Sequence, residues 1–413
     1  MGHFHEESIV DREASRRETF VPLHTTDLVH FLAQHPALKQ PQQEAFRRVA
    51  ALLLSMLHHL YRQKHDRLTY TYAPLDPDRD TLLMSVPVAV HRDQLCEELF
   101  QQFDDMLMRA NYHRLAPQDI ERALKAASQW GVRMRVNFGL FTRLAVYVRG
   151  DVIGQRRQRN WRRLFRYETL RVPIYQRLVV IFRTSPDSDF DNRFDCHRVY
   201  LRMFKNIPQQ DVDMMLPSTG IRMSWWDHSQ IVLPSLYAAG MTAWRVLRNV
   251  FLLTLVGLFK TVAICVLVMF AILYGLKSMF TYTVNTRRRY MLSMAQNLYY
   301  QNLDNNAGVL QRILEEGEQQ EACEAILAYF VAAVLRFDHL PLSLAELDRA
   351  CEEIIHEATG IHVDFDIEDA VHDLAQLGLL HECASGWTAL PLAQATSHLD
   401  KTWDSWFEGA PSS

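Results

Sequence analysis

Few residues in this chain have the types and spacing for chemistry. Asp211 and Asp213 stand one residue apart in "QQDVDMM", and Asp227 precedes His228 in "SWWDH". Paired carboxylates, or a carboxylate beside an imidazole, can divide general acid and base work when both face one substrate. Cys196 beside His197 offers a thiol and a base. Adjacent residues on a strand point to opposite faces, so neither dipeptide converges by itself. P-loop, GxGxxG, HExxH and GxSxG patterns do not occur. Asp211, Asp213, Asp227 and His228 are the candidate catalytic residues of an enzyme reading, and no cofactor and no metal is implied.

Two further stretches invite a ligand. In "NLYYQNLDNNAGVLQRIL", Asn302, Asp304 and Asn306 alternate like the first oxygen ligands of a calcium loop. Such a loop needs Gly at its sixth position and Glu at its twelfth, where this chain has Ala307 and Ile313. The stretch reads instead as a helix break, with Asn305 or Asn306 capping the next helix and Asp304 and Gly308 shaping the turn. The second stretch is "RGDVIGQRRQRNWRRLFR", in which Arg156, Arg159, Arg163 and Arg166 share a face if it is helical. Together with Arg287, Arg288 and Arg289 they are expected to meet anionic lipid headgroups, nucleic acid being the other polyanion such a face fits.

The elements that must position these residues follow from pattern. At 413 residues the chain is long enough for two or three compact units. A net charge of -4 favours no polyanion for the whole molecule. Six cysteines without CxxC spacing read as thiols of a reducing compartment. The charged opening "MGHFHEESIVDREASRRETF" has no signal-peptide h-region.

The apolar run from Val250 to Leu276, interrupted only by Lys260, reads as a membrane span with its core at 257–276. Lys277 and Arg287–Arg289 hold its downstream flank in the cytoplasm, and the long N-terminal part without a signal stays there too. Two flanks on one side demand an even number of crossings. A helical hairpin within 229–280, its first arm from Ile231 to Trp244, satisfies that parity.

The expected fold is α+β and membrane-associated. A flexible terminus (1–16) leads into a mainly helical region (17–130) and an antiparallel-sheet region (131–228). The membrane hairpin (229–280), a helical connector (281–340), a winged-helix-like domain (341–392) and a tail (393–413) follow. In "EAFRRVAALLLSMLHHLY", Phe46, Val49, Leu52, Leu53 and Met56 share a helical face. After Gly131 the period becomes two, with Val132, Met134, Val136 and Phe138 and then Leu144, Val146 and Val148 alternating with polar residues. A long helix is read from Glu318 to Phe337. "SLAE" at Ser343–Glu346 is a capping box, Gly360 and Gly378 close the next two helices, and "LLHEC", "ASG" and "WTAL" form a hairpin. Between Ser343 and Leu392 the sole Lys or Arg is Arg349, against eleven acids. Such a surface repels phosphate, so DNA is an unlikely partner of this unit and a protein partner is expected.

The segments "RRETFVPL", "RMFKNIPQQDVDMMLP" and "LYYQNLDNNAGVLQRILEEGEQQEACEAILAYF" give the chain a resemblance to the bacterial and organellar proteins similar to transmembrane protein 143, a family defined by a domain of unknown function. The resemblance runs from about Arg17 to Leu392 and implies a membrane protein, often drawn with two transmembrane segments. It supplies no reaction, cofactor or catalytic residue. The chain is identified as a bacterial member in the inner membrane, with both large units cytoplasmic. Its expected role is interaction or regulation, through the bilayer and a protein partner of the acidic unit; a membrane-associated enzyme with a site on the α+β unit is the alternative.

Overall fold

The computed structural model describes residues 19–80, 92–116, 133–136, 138–160, 166–186, 194–209, 219–222, 299–335, 341–364 and 367–408, with isolated positions elsewhere. The chain divides into two compact units. One joins Met1–Leu115, Gly139–Gln209 and Leu303–Ser413; the other joins Ala116–Phe138 and Gln210–Asn302.

The central membrane hairpin is corrected. Among the described residues no helix is long and apolar enough to cross a membrane. Of the run 250–276, Val266, Met269 and Leu273 are described, each helical and exposed, and the rest lies outside the described residues, as does Ile231. Apolarity of a run is a statement about composition; a span also needs an unbroken helix of bilayer length. Anchoring, the inner-membrane location and the cytoplasmic placement of both flanks all rested on that hairpin and fall with it. What stands is a mixed α+β chain with an antiparallel sheet.

In the first unit, α1 (Thr25–Ala33) and α2 (Gln42–Tyr72) open the fold. Phe46, Val49, Leu53 and Met56 are buried as their spacing predicts, while Leu52 is half-buried at the stripe's edge. Helix α3 (Arg92–Arg109) follows, and then strand β1 (His113–Arg114).

The second unit contains β2 (Arg133–Val136), which pairs with β6 (Thr219–Arg222) in a sheet of its own, Met134 opposite Ile221. The period-two stretch after Gly131 therefore serves two sheets.

The main sheet has the order β1–β3–β4–β5–β7, with β3 at Phe141–Asn160, β4 at Arg166–Thr184, β5 at Tyr200–Pro208 and β7 at Asn302–Asn305. Strands β3, β4 and β5 are antiparallel neighbours. Leu178 to Phe182 are all buried, so both sheet faces are covered at the centre and simple alternation breaks down there.

Helix α4 (Ala307–Phe330) continues into a π turn at Val331–Leu335. It begins a full three turns before the expected start, and every residue from Gln320 to Phe330 is buried. It packs against α1, α2, α3, β5 and the helices that follow it, so no solvent-facing stripe exists in its second half. Those helices are α5 (Leu344–Thr359) and α6 (Ile367–Gln376), followed by the hairpin β8 (Leu380–Cys383) and β9 (Gly386–Ala389).

The Ser343–Glu346 capping box forms, and Gly360 takes the left-handed conformation at φ 72°. Gly386 sits at φ 139° where a Cβ would collide with the Leu342 carbonyl, because Leu342 and Trp387 exchange both backbone hydrogen bonds. Residues read as a tail form α7 (Leu392–Glu408), which lies against α2.

Candidate functional site

Two apolar clusters fill the first unit, and α4 runs through both. Val309, Leu310, Ile313 and Leu314 belong to the one shared with α3 and the sheet. Ala322 through Val331 belong mostly to the other, shared with α1, the first half of α2 and the C-terminal elements. Between them lies "EEGEQQE", Glu315 to Glu321, a polar belt within a buried helix. Buried polar groups must be partnered, and the belt shows how.

Glu316 takes Nη2 of Arg149 at 2.7 Å and the Tyr112 hydroxyl at 2.6 Å on Oε2, and Nε of Arg177 at 3.0 Å on Oε1. Arg149 and Arg177 are direct cross-strand partners in β3 and β4. Like charges in that relation repel, and the carboxylate between them offsets the repulsion. The Arg149 guanidinium also lies over the Tyr112 ring, 4.8 Å from its centroid. Burial pushes the Tyr112 phenol well above its ordinary range, so it stays a donor. With both oxygens occupied, Glu316 is a clamp rather than a site for substrate.

Two turns on, Glu324 accepts from Asn111 Nδ2 at 2.9 Å and Gln320 Nε2 at 2.5 Å, and Gln320 Oε1 accepts the Val21 amide at 3.2 Å.

Glu321 is the less satisfied member. Its side chain is 2% exposed, Oε1 lies 3.3 Å from Arg109 Nη1, and Oε2 has only the Lys64 ammonium at 3.8 Å, beyond hydrogen-bond reach. Burial raises its carboxyl above the ordinary range, opposed by Lys64 and reinforced by Asp373. The neighbouring Tyr61 phenol is raised as well, by burial first and by Glu321 second. The arrangement favours the protonated carboxyl more than water does.

A carboxyl raised in the fold contributes stability that is complete below its unfolded value and is lost as pH rises through the folded one. Wild-type stability relative to Glu321→Gln should therefore fall as pH increases upward from about 4.3, the ordinary glutamate value. Urea midpoints of both proteins across that range give the difference, and a constant difference would remove the assignment.

The Asn-rich stretch is likewise committed to the protein. Asp304 Oδ2 takes Arg312 Nε at 2.5 Å. Asn306 stands at φ 47° and ψ -118°, donates from Nδ2 to Asp78 at 2.5 Å, and accepts the Leu201 amide on Oδ1 at 3.1 Å. Its own amide donates to the Leu201 carbonyl at 2.9 Å. The helix break is thus also a latch onto β5. Asn306 is the cap position, although it makes no side-chain hydrogen bond to the helix it precedes.

Among the described residues, Asp195, Cys196 and His197 bring donor atoms within 4.8 Å of one another. Asp195 already receives the His197 amide at 2.9 Å, with Arg198 Nε 3.6 Å from its other oxygen, so the trio is a charged surface turn whose carboxylate is in use. The buried thiols Cys96, Cys323 and Cys351 are poorly placed for reaction. Cys323 is pushed up to about 12 by burial, and burial also raises Cys351.

Asp211, Asp213, Asp227 and His228 lie outside the described residues, as do Arg163, Arg287, Arg288 and Arg289. Arg156 and Arg159 are in β3 and Arg166 is in β4. Three residues apart on a strand means opposite faces, so the helical face expected of this stretch does not form.

The surface from Ser343 to Leu392 is predominantly acidic. Glu353, Glu357, Asp364, Glu368 and Glu382 are exposed on α5, α6, β8 and the loop between the helices. Arg349 is the lone Lys or Arg of that stretch. His356 and His362 stack there, ring centroids 4.1 Å apart.

Residues 175–308 match a protein family described as a protein of unknown function, DUF3754. The match takes in β5 and the start of the Asn-rich latch. No solved structure matches the chain.

Proposed function

We propose that this protein is an interaction or regulatory protein whose acidic C-terminal surface takes a basic protein partner. The observation that carries the reading is the concentration of exposed carboxylates on α5, α6 and β8 beside a single arginine. Opposite charge across an interface steers encounter and suppresses wrong partners. The polar groups inside the fold support the same reading, because the Glu316 and Glu324 carboxylates are held by the protein's own side chains.

We also propose kinship with the bacterial proteins similar to transmembrane protein 143. "RMFKNIPQQDVDMMLP" from Arg202 and the opening of the Asn-rich motif both fall inside the 175–308 match, which supports it. The kinship is one of sequence and is not extended to a membrane span.

The test is co-purification of the tagged full chain at native expression, beside Glu353→Lys/Glu357→Lys/Glu368→Lys. These positions are exposed and avoid the capping glutamate Glu346, and the circular dichroism of the variant checks its fold. A stoichiometric partner that falls at least about tenfold with the variant, and with added salt, is the expected result. Equal recovery by both proteins, or no partner on the wild type, would overturn the reading.

A further inference from the structure

We propose that the two-stranded ribbon formed by residues 153–160 and 166–173 is a double-stranded DNA-binding arm that enters the major groove. Strand β5 pairs with β4 no further than Ile174, and β1 pairs with β3 only at Tyr147 and Val148. The β3–β4 pairing continues past that limit from Ile153↔Pro173 to Asn160↔Arg166. Among the described residues no third strand flanks these eight pairs, which at about 3.3 Å per residue extend roughly 26 Å. A major groove about 12 Å wide and 8.5 Å deep admits a two-stranded ribbon of this kind.

Sequence places the charge. Residues 153–173 hold seven arginines, no lysine and one acid, Glu168, in a chain whose net charge is -4. Arginine suits phosphate because its planar fork binds two oxygens at once.

Register decides between polyanions. Arg166 is opposite Asn160, so positions 156 and 166 belong to one face of the ribbon, while positions 157, 159 and 171 belong to the other. A flat lipid surface meets one face. A groove has phosphate walls on both sides, and the arginine positions of the paired strands are divided between both faces. Arginines on an unpaired edge also deter strand addition, which by itself predicts no DNA binding.

The experiment is fluorescence anisotropy of the full chain with a labelled mixed-sequence DNA duplex at several salt concentrations. Vesicles containing phosphatidylserine are measured in parallel. Saturable binding that weakens steeply with salt is expected. Arg156→Ala/Arg166→Ala and Arg157→Ala/Arg159→Ala should each cost at least about tenfold in affinity and flatten the log–log salt slope by about two. The corresponding lysine pairs keep the charge and should bind within a few-fold of wild type; they guard against a folding artefact. No saturable duplex binding at low salt, loss confined to one pair, or vesicle binding without duplex binding would each overturn the proposal.

Discussion

Glu316→Ala should lower stability by about 3–5 kcal/mol, the cost of removing one partner from a buried ion pair. The size of the effect comes from what is left behind. Arg149, 10% exposed, and Arg177 would face each other across β3 and β4 with no anion between them. The Tyr112 hydroxyl would lose its acceptor as well. Two controls bracket the result. Glu318→Ala removes an acid from the same belt whose partner, His58, is exposed, and should change stability by under about 1 kcal/mol. Tyr112→Phe removes a single hydrogen bond and should cost about 1–2 kcal/mol. Urea unfolding followed by tryptophan fluorescence measures all three, and a Glu316→Ala midpoint no lower than that of Glu318→Ala would show that the clamp contributes nothing.

The second large effect is expected at Asn306. Its backbone conformation is costly for any side chain, by about 1–3 kcal/mol. The carboxamide offsets that cost by holding both the Leu201 amide and Asp78. Asn306→Ala keeps the strain and loses both bonds, so a loss of about 3 kcal/mol or more is expected. Asn306→Gly relieves the backbone and loses the same bonds, so it should be the milder change. Thermal melts order the two, and alanine milder than glycine would refute the latch. Unchanged stability in both would return this residue to the pool of ligand candidates.

Much of the fold was legible where a local rule decides the structure alone. Ser343 and Glu346 are three apart at a helix start, Gly360 must turn left-handed, and the β8–β9 hairpin is bounded by its own turn residues. Phe46 to Met56 show one face because α2 has one. The rest depended on distant chain. "EEGEQQE" has the composition of a solvated helix face, and nothing local says that Arg149, Arg177, Tyr112 and Arg109 arrive to partner it. The arginines from 156 to 166 fit helical spacing as well as strand spacing, and only pairing between β3 and β4 decides. For the apolar run at 250–276, length and hydropathy describe composition alone, and among the described residues no helix is long and apolar enough to cross a membrane. Of the candidate site, the acids of the C-terminal surface were visible in composition; the burial that raises the Glu321 carboxyl was not, since it is set by helices far away in sequence.

The Val21 amide finds its acceptor, Gln320, 299 residues further on. Ribosomes add about 5–20 residues each second, so α4 is completed roughly 13–52 s after α2. During that interval Leu28, Leu32, Phe46 and Leu53, all destined for full burial, have no permanent neighbour from the last third of the chain. The chain's own order thus leaves these apolar residues without their final cover through most of synthesis, and slow codons late in the message would lengthen that exposure rather than help it.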